Sequence, residues 1–335
     1  MITAGNLKKG AVVMIIDLHS DMLTHITQMR QQGAENVLKD FHLPKLKKGG
    51  ISGVIMVVWI EPEYRKKPYK RTIEILGAFA AEAEENKDDI VVVEKYDDIL
   101  RGEKSGKIAV ILGVEGFYTA DKNLTALNLL YRLGVRHIGL TWNYDSILAT
   151  SYSTRYPKKG LTPLGVSAVR RMEELGMIID VSHLSEKSFW DVYENTARPF
   201  IASHSNVFKL CPHPRNLKDE QIKAIAERGG VIGINAWHEF ISNHSPCIEA
   251  LIDHIDYIAS LVGVDYISLG FDYIDYFKKE VIEDFCNGSK RTAGLEKAED
   301  SNRLLEALDK RGYHQRDIFK IARGNFLRVA KAVLH

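Results

Sequence analysis

Residues 14–21 read M-I-I-D-L-H-S-D. An apolar run of the kind that fills a core stops abruptly at His19 and Asp21. Side chains alternate along a strand, so residues two apart share a face. A strand ending this way delivers an imidazole and a carboxylate to one point at its C-terminal end.

Working outward, the same pattern recurs. Eight short apolar, β-branched runs end in polar residues: 12–19, 53–59, 108–115, 137–143, 177–183, 200–204, 231–235 and 267–272. Near-continuous apolar runs of this length fit strands buried on both faces, as in parallel sheets. Between them lie segments with apolar residues on a helical spacing, at 72–86, 124–133, 165–175, 218–228 and 248–259. Alternating strand and helix patterns imply parallel βα units, and eight of them predict an α/β fold of the (β/α)8 TIM-barrel type. A ninth run, I-V-V-V-E (90–94), exceeds that count and reads as an insertion or edge strand between the second and third barrel strands. No glycine-rich dinucleotide fingerprint follows the first run, which argues against an open doubly wound sheet. With no repeat, low-complexity tract or linker, residues 1–335 read as one barrel domain with small insertions. Charged loops are expected at 61–71 and 278–291, the second on the face where barrel sites form.

The 335 residues are 45% hydrophobic and 27% charged, with a net charge of +1, the balance of a soluble globular chain. Nothing in it suggests a nucleic-acid partner or an anionic membrane surface. The three cysteines (Cys211, Cys247 and Cys286) form no C-x-x-C, which suits a reducing compartment. Residues 11–16 are too short for a signal-peptide core, and no apolar stretch approaches the roughly 18 residues of a membrane span. A cytoplasmic location is expected.

Barrel enzymes place their chemistry at the C-terminal ends of the strands. Besides His19 and Asp21, the run ends supply Glu115, His183, His204 and Asp272. Neutral imidazole and carboxylate are ordinary zinc ligands, and this set exceeds what one zinc needs. Two ions about 3.5–4 Å apart would use it, sharing a bridging carboxylate and water. A histidine alone is more often structural than a ligand; what shifts the balance is three of them following separate apolar runs. His254, within a helical pattern, reads as exposed or partly packed, and His213 reads as lying off the active face.

These stretches carry a resemblance. I-D-L-H-S-D (16–21), G-V-E-G (113–116), I-D-V-S-H-L-S (179–185), A-S-H-S-N (202–206) and P-R-N-L-x-D (214–219) occur in the order found in the membrane (renal) dipeptidase family of binuclear zinc peptidases. The chain resembles that family from about residue 12 to about residue 330. The resemblance implies a cytoplasmic metal-dependent hydrolase with two Zn2+, though manganese or cobalt would also suit the ligands. It implies that His19 and Asp21 hold one zinc, that His183 and His204 hold the other, and that Glu115 bridges them. Asp272 matches the family's acid/base, and Arg215 the arginine that binds the substrate's terminal carboxylate. The implied reaction is hydrolysis of dipeptides with free termini by a metal-bridging hydroxide, with tolerance of a D-residue at the C-terminal position. The implied partner is a small dipeptide, and the implied assembly a homodimer. One departure stands out. In L-T-W-N (140–143), Trp142 occupies the place where several members have a histidine contacting the substrate near the scissile carbonyl. Trp142 then reads as an aromatic wall of the pocket, with Asn143 or a zinc ion taking over the carbonyl contact. The ligand set alone leaves two alternatives: another metal-dependent amidohydrolase (for a cyclic amide, lactone or N-acyl amino acid), or a silent binding barrel.

Overall fold

Nine parallel strands form the sheet: β1 (Ile15–Ser20), β2 (Ile51–Val58), β3 (Ile90–Val92), β4 (Ile108–Glu115), β5 (Val135–Gly139), β6 (Ile178–Asp180), β7 (Ile201–Ala202), β8 (Val231–Ile234) and β9 (Ile267–Leu269). The structure, a computed structural model, describes residues 13–118, 123–278 and 291–335. Cys286 and nearly all of the charged stretch 278–291 lie outside the described residues.

Eight strands close a barrel. β1 pairs with β2 and β9, β2 pairs with β4, and β4 to β9 follow in sequence order. The ninth, β3, pairs only with β4, at Ile108–Val110. The reason lies in register. β5 pairs with Leu112–Glu115 of β4, leaving the first half of that edge open. β3 caps those unpaired backbone groups. The expected edge strand is therefore present: it falls between the second and third barrel strands along the chain and lies beside the third, on the edge that strand shares with the fourth.

The apolar runs are nearly continuous because each strand is buried on both sides. Alternate residues Ile16, Leu18, Ile55, Val57, Ile111, Ile178, Ile201 and Val231 fill the barrel interior, and Phe326 and Val329 of the C-terminal helix Asn325–Val333 join them. The intervening residues, such as Val54, Met56, Val110 and Leu112, pack outward with the helices. The helices lie where the periodicity places them: Pro68–Glu85, Thr125–Arg132, Pro163–Leu175, Asp219–Glu227 and Ile248–Val262. The first starts earlier than its apolar pattern, because Pro68 occupies the first turn, where its missing N–H costs nothing. His254 departs from expectation. It is buried, accepting the Val207 N–H at 3.0 Å and facing the Ile241 carbonyl at 3.0 Å, and so pins the helix to the loop after β7.

Toward the C-terminal end, the inward positions turn small and polar: Gly113, Glu115, His137, Asp180, Ser203, Gly233, Asn235 and Gly270. Two of these glycines are needed for approach. A Cβ on Gly233 would lie 1.9 Å from the Ser203 carbonyl oxygen, and one on Gly270 1.8 Å from the same atom. Three strand ends therefore converge on that carbonyl with no room for a methyl group. The Gly270→Ala variant is expected to lose about 1–3 kcal/mol of stability from overpacking, read as a lowered urea midpoint.

Candidate functional site

The strand ends carry the six polar residues into one hollow. His19 arrives by an irregularity in β1. Asp17 and Ser20 pair with Val54 and Met56, so three steps on β1 match two on β2, a β-bulge. Leu18 and His19 together take one inward place, with Leu18 in the barrel core. Asp21 is the N-cap of helix Met22–Gln31, a position where aspartate normally bonds the first amides. Here its side chain makes no such bond. Glu115 ends β4. His183 and Asp272 lie just past β6 and β9 with φ of 66° and 61°. Such left-handed backbone costs a non-glycine residue about 1–3 kcal/mol and gathers at functional sites.

Glu115 is central. Its Oε1 lies 2.9 Å from His183 Nε2, 3.4 Å from His204 Nε2 and 3.5 Å from His19 Nε2. His19 Nε2 is also 3.7 Å from Asp21 and 3.9 Å from Asp272. His183 Nε2 and His204 Nε2 are 2.9 Å apart.

The outer hydrogen bonds determine which atoms carry protons. Ser203 Oγ is 2.5 Å from Asp180 Oδ2 and 2.7 Å from His204 Nδ1. A carboxylate cannot donate, so the hydroxyl proton goes to Asp180 and His204 Nδ1–H donates to Ser203. Asp180 is ionised. Burial would raise its pKa, but His137, the Ser203 hydroxyl and the Ser182 amide outweigh burial and hold it below the usual range. Asn143 Oδ1 lies 2.9 Å from His183 Nδ1 and accepts a hydrogen bond from its N–H. Both Nε2 atoms are then bare lone pairs facing each other and a carboxylate oxygen. Burial, aided by nearby cations, holds both rings neutral, well below the usual histidine pKa.

Two bare imidazole nitrogens converging on one carboxylate oxygen, more sites than a single shared proton could bridge, fit a metal cation. So do the buried His19 Nδ1 and Nε2 and Asp21 Oδ1, which have no hydrogen-bond partner among the described residues. Ligand atoms of His19, Glu115 and His204 lie within 4.8 Å of one another, as do those of His19, Asp21 and Asp272. The field has the right sign. Burial opposes charge on His19, yet Glu115, Asp21 and Asp272 push its pKa up to about 10. A hollow that holds a proton so firmly attracts a metal ion for the same reason. Burial and Asp21 push Asp272 up to about 6 against the pull of His19 and Arg215, and Asn235 Nδ2 donates to it at 3.3 Å.

Above the centre lies an open-mouthed pocket. Trp142 lines it and packs edge-on against Trp59, with ring centres 5.4 Å apart. Arg215 is buried, its Nη2 donating to the His204 carbonyl at 3.2 Å and its Nε without a hydrogen-bond partner among the described residues. His213 corrects its expected place: it lines the pocket, because the turn before Arg215 folds back over the mouth. Sequence reading passed over Asp180 and Ser203, which sit beside recognised histidines, and Glu239, on the short helix His238–Ile241. The D-V-S-H and A-S-H stretches held the first two signals. Nothing in the local sequence marked Glu239.

Comparison with known proteins agrees with this geometry. The family profile described as membrane dipeptidase, peptidase family M19, matches residues 10–335. An uncharacterized protein in the pqqA 5′ region of Klebsiella pneumoniae is 33% identical over 247 residues, covering 70% of this chain and 86% of its own length. An uncharacterized dipeptidase of Schizosaccharomyces pombe is 30% identical over 284 residues, covering 77% and 68%. A crystal structure of a metallopeptidase from Rhodobacter sphaeroides, liganded with a phosphinate mimic of the dipeptide L-Ala-D-Ala, shares the fold. Its TM-score is 0.84 at 21% identity, covering 96% of this chain and all of that one.

Removing the Ser203 hydroxyl cuts the link between Asp180 and His204. Such outer partners are typically worth about 10–100-fold in metal affinity. The Ser203→Ala variant is expected to lose metal affinity in that range in a chelator-competition titration.

Proposed function

The chain is a member of the membrane dipeptidase family and a metal-dependent hydrolase of dipeptides, and on that premise we propose that it is a zinc dipeptidase acting on substrates with both termini free. The observation that carries this reading is the meeting of His183 Nε2, His204 Nε2 and Glu115 Oε1, with protons fixed on the far sides of both rings. In this reading His19 and Asp21 hold one Zn2+, His183 and His204 hold a second, and Glu115 serves both. Manganese or cobalt would satisfy the same nitrogen and oxygen ligands. Bound metal supplies an acidified water for attack and polarises the scissile carbonyl.

The chain's own residues then divide the work. Asp272 takes a proton from the attacking water as its oxygen bonds to the carbonyl carbon. It returns that proton to the leaving nitrogen as the C–N bond breaks, releasing two amino acids. A positioned carboxyl can serve both halves of that transfer. Arg215 holds the terminal carboxylate. Burial pulls its pKa below the usual arginine value, and a buried guanidinium is stabilised by an anion beside it. Asn143 orients His183 through Nδ1, which makes it a support for a ligand. Trp142 and Trp59 form an apolar wall that narrows the pocket. The Rhodobacter protein's L-Ala-D-Ala mimic supports acceptance of a D-residue at the C-terminal position here.

A panel of L-Ala-L-Ala, L-Ala-D-Ala and their N-acetylated and amidated forms tests the reading on zinc-loaded protein. Cleavage is expected only where both ends are free. Equal turnover of a blocked form would make it a broader amidohydrolase. The Asp272→Asn variant is expected to retain zinc while kcat falls about 10²–10⁴-fold, the usual share of general acid–base catalysis. The Arg215→Met variant is expected to raise KM about 10–100-fold, the worth of a charge-assisted hydrogen bond, with little change in kcat.

A further inference from the structure

Four carboxylates line the pocket: Asp21, Glu115, Asp272 and Glu239. The first three surround His19. Glu239 stands apart, half-buried at the mouth, with its Oε2 accepting a hydrogen bond from Trp237 Nε1 at 3.3 Å.

Aromatic rings share the pocket with it. His213 and Phe240 have centres 4.6 Å apart, Trp237 and Phe240 6.2 Å, and Tyr152 and His213 6.3 Å. All four rings line the same pocket as Glu239. Burial and the Arg215 cation lower the His213 pKa against the pull of Glu239, so this ring is neutral near pH 7. Aromatic faces with one carboxylate among them make a receptor for an organic cation. The alkyl stem of a lysine or arginine lies along the rings, and its charged head reaches Glu239.

The place of this cup decides which end of the substrate it reads. The Arg215 guanidinium lies 5.4 Å from the Phe240 ring centre and 5.8 Å from that of Tyr152. The residue whose carboxylate rests on Arg215 therefore carries its side chain into the same group of rings. An acidic side chain there would face Glu239 and be repelled. We propose that Glu239, with Tyr152, His213, Trp237 and Phe240, forms a subsite for a cationic side chain on the C-terminal residue, so that the favoured substrates are dipeptides ending in lysine, arginine or a similar amine. This rests on the dipeptidase reading and on Arg215 holding the terminal carboxylate.

The test compares kcat/KM of the zinc-loaded enzyme for Ala-Lys, Ala-norleucine, Ala-Glu and Lys-Ala, with both configurations at the C-terminal residue. Norleucine keeps the alkyl stem and removes the ammonium. Ala-Lys is expected to exceed Ala-norleucine about tenfold, from one cation–π contact and one partly exposed ion pair, and Ala-Glu to fall below both. In Glu239→Gln most of the Lys-to-norleucine ratio should vanish, and in Glu239→Lys the order of Ala-Lys and Ala-Glu should invert. A ratio within one preparation does not depend on the fraction folded. Equal rates for Ala-Lys and Ala-norleucine in the wild type would overturn the subsite and leave the dipeptidase reading standing. A preference that survives Glu239→Gln undiminished, or that favours Lys-Ala over Ala-Lys, would overturn the assignment of the cup. Failure to cleave any free dipeptide, Ala-norleucine included, would overturn both readings together.

Discussion

One carboxylate oxygen, Glu115 Oε1, faces the Nε2 atoms of three buried histidines. No arrangement of protons on these groups satisfies them all. His183 and His204 have their hydrogens on Nδ1, directed away, and His19 can share at most one proton with Glu115, Asp21 and Asp272 together. Folding alone would favour separating such groups, since each buried polar atom left unpaired costs about 1–3 kcal/mol. Their convergence is a liability in the bare fold, and a cation resolves it.

Much of the surrounding structure enforces that convergence. A bulge in β1 gives His19 an inward place that regular pleating would deny it. Left-handed backbone at His183 and Asp272 turns both side chains over the strand ends. Asp180, charged inside the barrel, accepts the Ser182 and Ser203 amides at 3.0 and 2.9 Å and the Ser203 hydroxyl. It thereby ties the ends of β6 and β7 together while fixing the His204 tautomer. Asp17 holds the Phe271 amide at 2.9 Å, one residue before Asp272. The local strain and the buried charges are offset by the two-sided apolar packing of the strands below.

What could be read from the sequence follows from these causes. Burial on both faces leaves an apolar run for each strand, so the barrel and its edge strand were legible. A polar residue directly after such a run is conspicuous, which exposed His19, Asp21, Glu115, His183, His204 and Asp272. The sequence holds no comparable mark for a bulge, because the extra residue at 18–19 looks like ordinary alternation. Asp180 was hidden inside an apolar run, and its charge has meaning only beside Ser203 and His137. His213 lies on a turn and Glu239 on a short helix, and the paths of both depend on packing after β7 and β8.

The division of labour among strands explains how the pocket can vary while its centre persists. The polar centre comes from the ends of β1, β4, β6, β7 and β9. The strands left over, β2, β5 and β8, are followed by Trp59, Trp142 and Trp237, and all three tryptophans line the pocket. Trp142 therefore sits on a strand that supplies wall. A tryptophan there instead of a histidine narrows the pocket, its ring centre 6.3 Å from that of His183. Glu239 belongs to the same class, two residues past Trp237. The groups that bind charge at the reacting bond lie in the strands or within three residues of their ends and are steadied by buried hydrogen bonds, where a shift of half an ångström would be felt by every neighbour. The groups that meet the side chains of a substrate sit beyond the ladder, on short turns, where a change of residue alters one contact and leaves the ladder intact.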